Sequence, residues 1–562
     1  MIEGGTSALA GAGRINSDSC ETLVELISSG AARNGTIEFP ESKLSSSWHC
    51  VNAEAERWAS ALQSLGAGPG CRIALLANMS VDMVTAIEAI WLSGSTLVVL
   101  PIPTRSSSIE SFTAEMVARV IAVEAFVLIV GPEYSAFDFR SHTAIRGGAI
   151  TKSFDEMARE ARLARRWRMP CLDSSDVAVL QFTSGSTGDP KGVLISHRNV
   201  VANILAIAEA IEIDPGADVT MSWLPLFHDM GLFGFLALPM SLGNRAVYAD
   251  PSAFLANPRM WLEWISEFRA TLTAGPNVAY AIAQRAAAGG SELNLSCLQW
   301  ALNASEPIVS SVIEGFEQAT QRHHLLPGVL SSGYGLAEAT LAVTLRSRGS
   351  GVGFDCVQRS ELEQNGIAIV GEPQSEGTRL LARLGTSVPG ASIKVVDSSG
   401  ESLPDRRVGR VFVSGPSVST GYTSDGRVGS APILSDGWLD TGDQGYMAEG
   451  ELVLCGRLKD VLFVGGRNVF PNDIECLVEG IEGIRPGNVV AVGSDGFEGP
   501  ARIVVVAEHR SKDPAGLKLA VRERVRDHMG LRVDGVVLLQ PGELPKTSSG
   551  KVQRATVAEK FL

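Results

Sequence analysis

Between residues 20 and 335 the chain alternates helix-spaced and strand-like apolar segments, and this alternation restricts the fold more than any other feature. Apolar residues recur at helical spacing over 20–26, 51–65 and 81–92, with strand-like runs at 71–76 and 95–100 between them. A helix over about 113–123 and a strand over 125–130 continue the series. Segments in this order bury strands beneath helices, which predicts an α/β fold with a largely parallel sheet. Further strand-like runs at 219–223, 270–274, 298–302 and 328–331 each lead into a polar or glycine-containing loop, at 224–231, 275–277, 303–307 and 332–338. In doubly wound sheets ligands bind outside the carboxyl ends of the strands, so the four loops are expected to converge on one crevice.

One loop has its own chemistry. Thr183, Ser184, Gly185, Ser186, Thr187, Gly188, Asp189, Pro190, Lys191 and Gly192 lie between strand-like runs at 177–182 and 193–195. Glycines let the backbone approach an anion, the hydroxyls donate, and the lysine adds a full charge, so the run reads as a phosphate cradle. It is not a Walker A loop, because it joins two strands and has Pro190 and Gly192 where that motif needs glycine and a hydroxyl residue. After it, Ser196 is placed to cap a helix whose apolar face runs from Val200 to Ile211.

At 562 residues the chain exceeds a single core, and two or more domains are expected. A hydrophobic content of 45% and a charged content of 20% are those of a folded globular protein. The net charge of -14 argues against a nucleic-acid partner but leaves room for a nucleotide, whose phosphates need only a local site. Eight scattered cysteines without a CxxC pair suggest neither zinc nor a disulfide framework and, with no signal peptide visible, point to a cytoplasmic location. The apolar runs at 90–103 and 230–240 are too short or interrupted for a membrane span and read as buried pocket walls. The arginines at 159, 162, 165, 166 and 168 read as a solvated helical connector.

Beyond residue 345 short strands at 391–397, 409–415 and 451–455 suggest a small β-rich subdomain. The last hundred or so residues alternate strands at 460–464, 488–492, 501–508 and 536–539 with helices at 471–478 and 514–529, a small separate α+β domain.

Taken in order, Thr183–Gly192, Gly333-Tyr334-Gly335-Leu336-Ala337-Glu338, Asp440-Thr441-Gly442-Asp443, Gly456-Arg457-Leu458-Lys459-Asp460 and the run 545–551 ending in Lys551 resemble the motifs of the adenylate-forming superfamily, which comprises acyl-CoA synthetases, luciferases and peptide-synthetase adenylation domains. The runs 222–232, 275–280, 334–341 and 466–475, with extra sequence at 346–376, are most similar to fatty acyl-AMP ligases. In those ligases the insertion is thought to restrain the small domain and disfavour CoA. The resemblance implies a large N-terminal domain over 1–456, made of doubly wound α/β subdomains plus the β-rich subdomain, a hinge over 457–460 centred on Lys459, and a mobile α+β lid over 461–562. The chain departs from the family pattern at Ala304 and Ser305, where a Gly-Ala pair is usual, at Val469, where histidine is common, and at Gly465, where a basic residue is.

The implied reaction is attack of a hydrophobic carboxylic acid on ATP to give acyl-AMP and pyrophosphate, followed by transfer to the phosphopantetheine arm of an acyl carrier protein. The alternatives are a complete acyl-CoA synthetase and a nucleotide-binding scaffold without turnover. By the resemblance Lys191, Thr183, Ser184, Ser186 and Thr187, with Gly185 and Gly188, hold phosphates, and Glu338 holds Mg²⁺. Tyr334, with Gly333, Gly335, Leu336, Ser305, Glu306 and Pro307, sits on the nucleotide, Asp443 and Arg457 take the ribose, and Lys551 supplies charge at the chemical step. Phe227, His228, Gly231, Leu232, Gly275 and Pro276 are placed at the acyl pocket, where His228 serves either the substrate or the packing.

Overall fold

The computed structural model describes residues 20–103, 108–137, 139, 148–183, 191–373, 375, 377–424, 427–430, 436–464, 467–494, 502–547 and 550–562. Two large sheets carry the N-terminal part. In the first, the strands Thr36–Phe39, Arg245–Tyr248, Val219–Ser222, Leu272–Gly275, Trp300–Asn303 and Leu330–Gly335 run parallel as neighbours in that order, and Ala342–Leu345 and Thr386–Ser387 close one edge antiparallel. In the second, Val177–Thr183, Thr96–Val99, Arg72–Leu76, Val127–Val130 and Ile150–Ser153 are parallel neighbours, and Lys191–Ser196 turns back antiparallel on Val177–Thr183. Most of their Val, Leu and Ile residues are buried, on both faces, as strands covered by helices require.

Helix starts follow the sequence signals. Ser196 Oγ accepts from the Asn199 N–H at 3.2 Å, and Asn199 Oδ1 accepts from the Ser196 N–H at 3.0 Å. Asn199 Nδ2 then donates to the carbonyls of Pro416 and Val418, 2.7 and 3.0 Å away, so one capping pair also ties the helix His197–Ala210 to the β-rich part. That part is an antiparallel sheet of Ser392–Val396, Gly409–Ser414, Leu439–Ala448 and Glu451–Arg457. The C-terminal unit packs Pro471–Glu479, Pro514–Met529 and Arg554–Phe561 on the strands Ile484–Gly493, Ile503–His509 and Gly535–Leu539. The helix Arg554–Phe561 has no counterpart among the sequence expectations: only Val557 on it is buried, so the apolar period is too sparse to read. Asp460, expected in a strand, ends the 3₁₀ turn Leu458–Asp460.

The helix Val81–Leu92 is buried on nearly every face and carries Glu88 inside, 1% exposed. Asn52 Nδ2 donates to Glu88 Oε1 at 2.7 Å, and Oε2 has no partner among the described residues. Burial pushes the Glu88 carboxyl up to about 8. The fold therefore keeps a proton that the unfolded chain releases near pH 4.5, and stability falls as pH rises between those values. Glu88→Gln, neutral throughout, is expected to gain on the native protein by about 3 kcal/mol on going from pH 5 to pH 8. Urea unfolding at both pH values checks this, and a gap that does not widen with pH overturns it.

Candidate functional site

The loops at the carboxyl ends of the parallel strands border one cavity of about 2920 Å³. Pro276 and Asn277, 304–307, 333–338, and Phe227 to Met230 all line it, and the C-terminal unit closes it with Lys546 and Lys551. The four loops expected to converge do so.

Two of its residues are joined across the fold. Tyr334, at a bulge in Leu330–Gly335, donates its hydroxyl to Asp443 Oδ2 at 2.6 Å, and Arg457 Nε lies 3.2 Å from Asp443 Oδ1. Asp443 and Arg457 are direct cross-strand partners in the β-rich sheet. Burial pushes the Asp443 carboxyl up, and Arg457 and the Tyr334 hydroxyl oppose that. Each carboxylate oxygen keeps a lone pair, so the group can still accept from a diol. Gly335 permits the close turn here, because a Cβ on it would fall 1.8 Å from the Leu341 carbonyl oxygen.

Glu338 stands in the 3₁₀ turn Ala337–Ala339, with Tyr422 donating to its Oε1 at 2.8 Å. No cluster of three metal-ligating side chains occurs among the described residues. A single carboxylate facing a polar cavity nonetheless fits Mg²⁺, which takes one or two protein carboxylates and completes its shell with phosphate oxygens and water.

Opposite lies a mixed-charge cluster. Glu306 Oε1 accepts from the Val278 N–H at 2.5 Å, while Ser305 before it takes a left-handed φ of 75°. Burial pushes the Glu306 carboxyl up, and the charges of Lys551 and Lys546 oppose it. From the C-terminal unit, Lys546 Nζ donates to the Gly487 carbonyl at 2.9 Å, and Gly487 donates to Glu479 Oε1 at 2.8 Å. Burial raises Glu479 to about 7. Gly487 packs against Val278 so closely that a Cβ would lie 3.1 Å from Val278 Cγ2.

Phe227, His228 and Pro276 line the cavity as expected. Gly231, Leu232 and Gly275 do not. Leu232 is 0% exposed and points into the core, and Gly231 lies against the Pro225 carbonyl, where a Cβ would come within 2.3 Å. Gly275 makes room for Trp261, 3.1 Å from a Cβ built there. For Gly231 and Leu232 the cause is the π-helix Met230–Ala237, whose wide turn shifts the facing residues, so that Gly234, Phe235 and Leu238 reach the cavity instead. Thr183 and Lys191 are register partners at the ends of their strands, but their side chains and residues 184–190, which include Ser184, Gly185, Ser186, Thr187 and Gly188, lie outside the described residues. Gly465 does too, whereas Val469 is buried in the C-terminal core, which accounts for an apolar residue there.

Sequence reasoning passed over Asp229, Tyr422, Glu479 and Lys546. Asp229 stands directly after His228, and Lys546 lies in the same run as Lys551, so position in a motif was the available signal. Tyr422 and Glu479 had none: Tyr422 meets Glu338 across 84 positions, and Glu479, which meets Gly487 across a turn, lies in no motif.

Residues 32–423 match the family described as AMP-binding enzyme. The chain belongs to the AMP-binding enzyme family. Among its relatives in that family, a Mycobacterium tuberculosis protein named as a ligase, Rv1013, is 34% identical over 527 residues, covering 92% of this chain and 94% of that one. The medium-chain-fatty-acid–[acyl-carrier-protein] ligase JamA of Moorena producens is 34% identical over 418 residues, covering 71% of this chain and 70% of that protein. A solved structure from studies of fatty acyl-adenylate ligases of E. coli and L. pneumophila superposes with a TM-score of 0.87 at 31% identity, covering 97% of this chain and 98% of that one. An AMP-binding enzyme takes an adenine nucleotide, and the hydrogen-bonded Tyr334–Asp443–Arg457 group lies on the cavity wall. No helix among the described residues is long and apolar enough to cross a membrane.

Proposed function

We propose that the protein is an ATP-dependent acyl-AMP ligase that activates a hydrophobic carboxylic acid and passes the acyl group to the thiol of a carrier protein. The observation that carries this is one cavity lined by the buried Asp443 carboxylate, the exposed Lys551 and a set of apolar side chains. A carboxylate oxygen attacks the α-phosphorus of ATP, the new O–P bond forms, and the bond to pyrophosphate breaks. Both reactants are anions, so the residues must offset repulsion and align them. Lys551 supplies charge between them. Lys191 and the 183–188 run take the β- and γ-phosphates, Asp443 and Arg457 hold the ribose, and Tyr334 orients Asp443. Glu338 is the residue that would hold Mg²⁺, which neutralises phosphate charge when bound.

The acid enters between Ile207, Ile211, Leu238, Leu272, Trp300 and Leu302, an apolar branch suited to an alkyl chain or a bulky ring. The names of JamA and of the solved fatty acyl-adenylate ligases support that substrate class and, for JamA, a carrier acceptor. In this reading residues 1–456 form the nucleotide domain, Lys459 is the hinge and 461–562 the lid.

Incubating the protein with Mg-ATP and a panel of fatty, aromatic and polycyclic acids is expected to release pyrophosphate only with an apolar acid. Adding a phosphopantetheinylated carrier, or CoA, should then give acyl-carrier faster than acyl-CoA. No acid-dependent pyrophosphate would exclude a ligase, and fast CoA thioester formation would make it an acyl-CoA synthetase.

A further inference from the structure

His228 is held differently from the buried His323. His323, which is 0% exposed, has both ring nitrogens engaged: Nδ1 with the Leu293 N–H at 3.1 Å, and Nε2 with the Ala287 carbonyl at 2.9 Å. His228 lines the cavity with 21% of its side chain exposed, and Nε2 has no partner among the described residues. Its Nδ1 lies 2.6 Å from Asp229 Oδ1 and 3.4 Å from the Met230 N–H. The same oxygen accepts from the Met230 N–H at 2.7 Å at the start of the π-helix, so the carboxylate is fixed by backbone before it meets the imidazole. Burial pushes the Asp229 carboxyl up, but His228, Lys551 and the Met230 N–H outweigh it and hold it at about 2. The ionised carboxylate at 2.6 Å is much closer than the Met230 N–H at 3.4 Å, so Nδ1 is the donor and the lone pair is left on Nε2.

We propose that His228, oriented by Asp229, is the base that takes the proton from the acceptor thiol. This rests on the acyl-AMP ligase reading. The thiol S–H proton passes to Nε2, sulfur bonds to the acyl carbon, and the acyl C–O bond to phosphate breaks with its electron pair leaving on AMP. The imidazolium then loses its proton to solvent. Asp229 is a positioning residue. Among the described residues the charged groups acting here are Asp229 and, from the C-terminal unit, Lys551, with Glu306 beyond it. The strand Val177–Thr183 contributes the neutral Gln181, which donates to the Phe227 carbonyl. A lid that carries Lys551 away leaves Asp229 to the imidazole alone, which matches the order of the two half-reactions.

The test starts from preformed acyl-adenylate bound to the full-length protein and follows thiolysis against pH with pantetheine and with the more acidic thiol cysteamine. In the native protein the rising limb is expected at the same pH with both thiols. His228→Gln should be about 10²-fold slower below the thiol's own pKa, with the limb moved to that of each thiol. Asp229→Asn should lose about 10-fold and shift the limb the same way, through loss of the Nδ1–H tautomer. A native limb that tracks each thiol's pKa overturns the proposal, and that comparison decides it even where a variant does not fold. Pyrophosphate release with acid and ATP, measured on the same preparation without thiol, tests the ligase reading separately.

Discussion

Replacing Lys551 with alanine is expected to lower acid-dependent pyrophosphate release by about 10³-fold while leaving ATP affinity within about threefold of the native value. The lysine sits on a turn closed on itself: the Thr547 N–H donates to the Lys551 carbonyl at 2.8 Å, and the Lys551 N–H donates to Thr547 Oγ1 at 3.1 Å. Gly550 makes that turn possible with φ at 86°. The side chain is exposed and borders the cavity, where its charge acts on Asp229 and Glu306. In the proposed reading it is near the acid and away from the Tyr334–Asp443–Arg457 group. Losing a preorganised cation costs the transition state about 3 to 4 kcal/mol, whereas in the proposed reading the nucleotide keeps Asp443 and Arg457. Isothermal titration of ATP beside a pyrophosphate assay separates the two. Equal collapse of affinity and turnover would mean that Lys551 grips ATP rather than the reacting atoms.

How much of this was legible depended on whether the interaction was local. The strand-then-loop pattern identified 275–277, 303–307 and 332–338 as cavity loops, because the carboxyl end of a parallel strand has nowhere else to place a polar turn. Ser196 was readable as a cap since its partner is three residues on. Tyr334 and Asp443 were both visible as motif residues, but their hydroxyl–carboxylate bond spans 109 positions and could not be read from either motif. Nor does the run 230–240 reveal its face, being apolar at almost every position. With no polar residue to mark a period, nothing distinguished an α-turn from the π-turn that buries Leu232 and presents Phe235.

Asp473→Ala is expected to destabilise the fold by about 3 to 5 kcal/mol, the usual cost of leaving one member of a buried ion pair alone. Arg379 and Asp473 have side chains only 6% and 11% exposed, with Nε 2.7 Å from Oδ1. The oxygen lies off the N–H direction, so the contact is an ion pair without a hydrogen bond, and Arg379 Nη1 and Asp473 Oδ2 have no partners among the described residues. Arg379 Nη2 donates to the Cys455 carbonyl at 2.9 Å, and the guanidinium stacks 4.5 Å from the Phe470 ring centre. The pair joins the strand Thr378–Ala382 to the helix Pro471–Glu479, so it bolts the segment after residue 345 to the C-terminal unit. Two weaker ties run parallel: Arg359 Nη1 donates to the His528 carbonyl at 3.0 Å, and Arg467 lies 3.5 Å from Glu363 while donating to the Met529 carbonyl at 3.0 Å. Because the pair is poorly satisfied, it adds little net stability while intact, and its main effect is to hold the C-terminal unit against the strand Thr378–Ala382. Arg379→Met combined with Asp473→Leu should therefore recover most of the stability lost in the single variant, by removing both charges at once. If the bolt also restrains lid rotation, the double variant should make CoA thioester faster than the native protein at similar stability. Differential scanning calorimetry and a CoA thioesterification assay on the native, single and double variants read the two effects. Recovered stability with unchanged acceptor choice would show that the contact holds the lid in place without selecting the thiol.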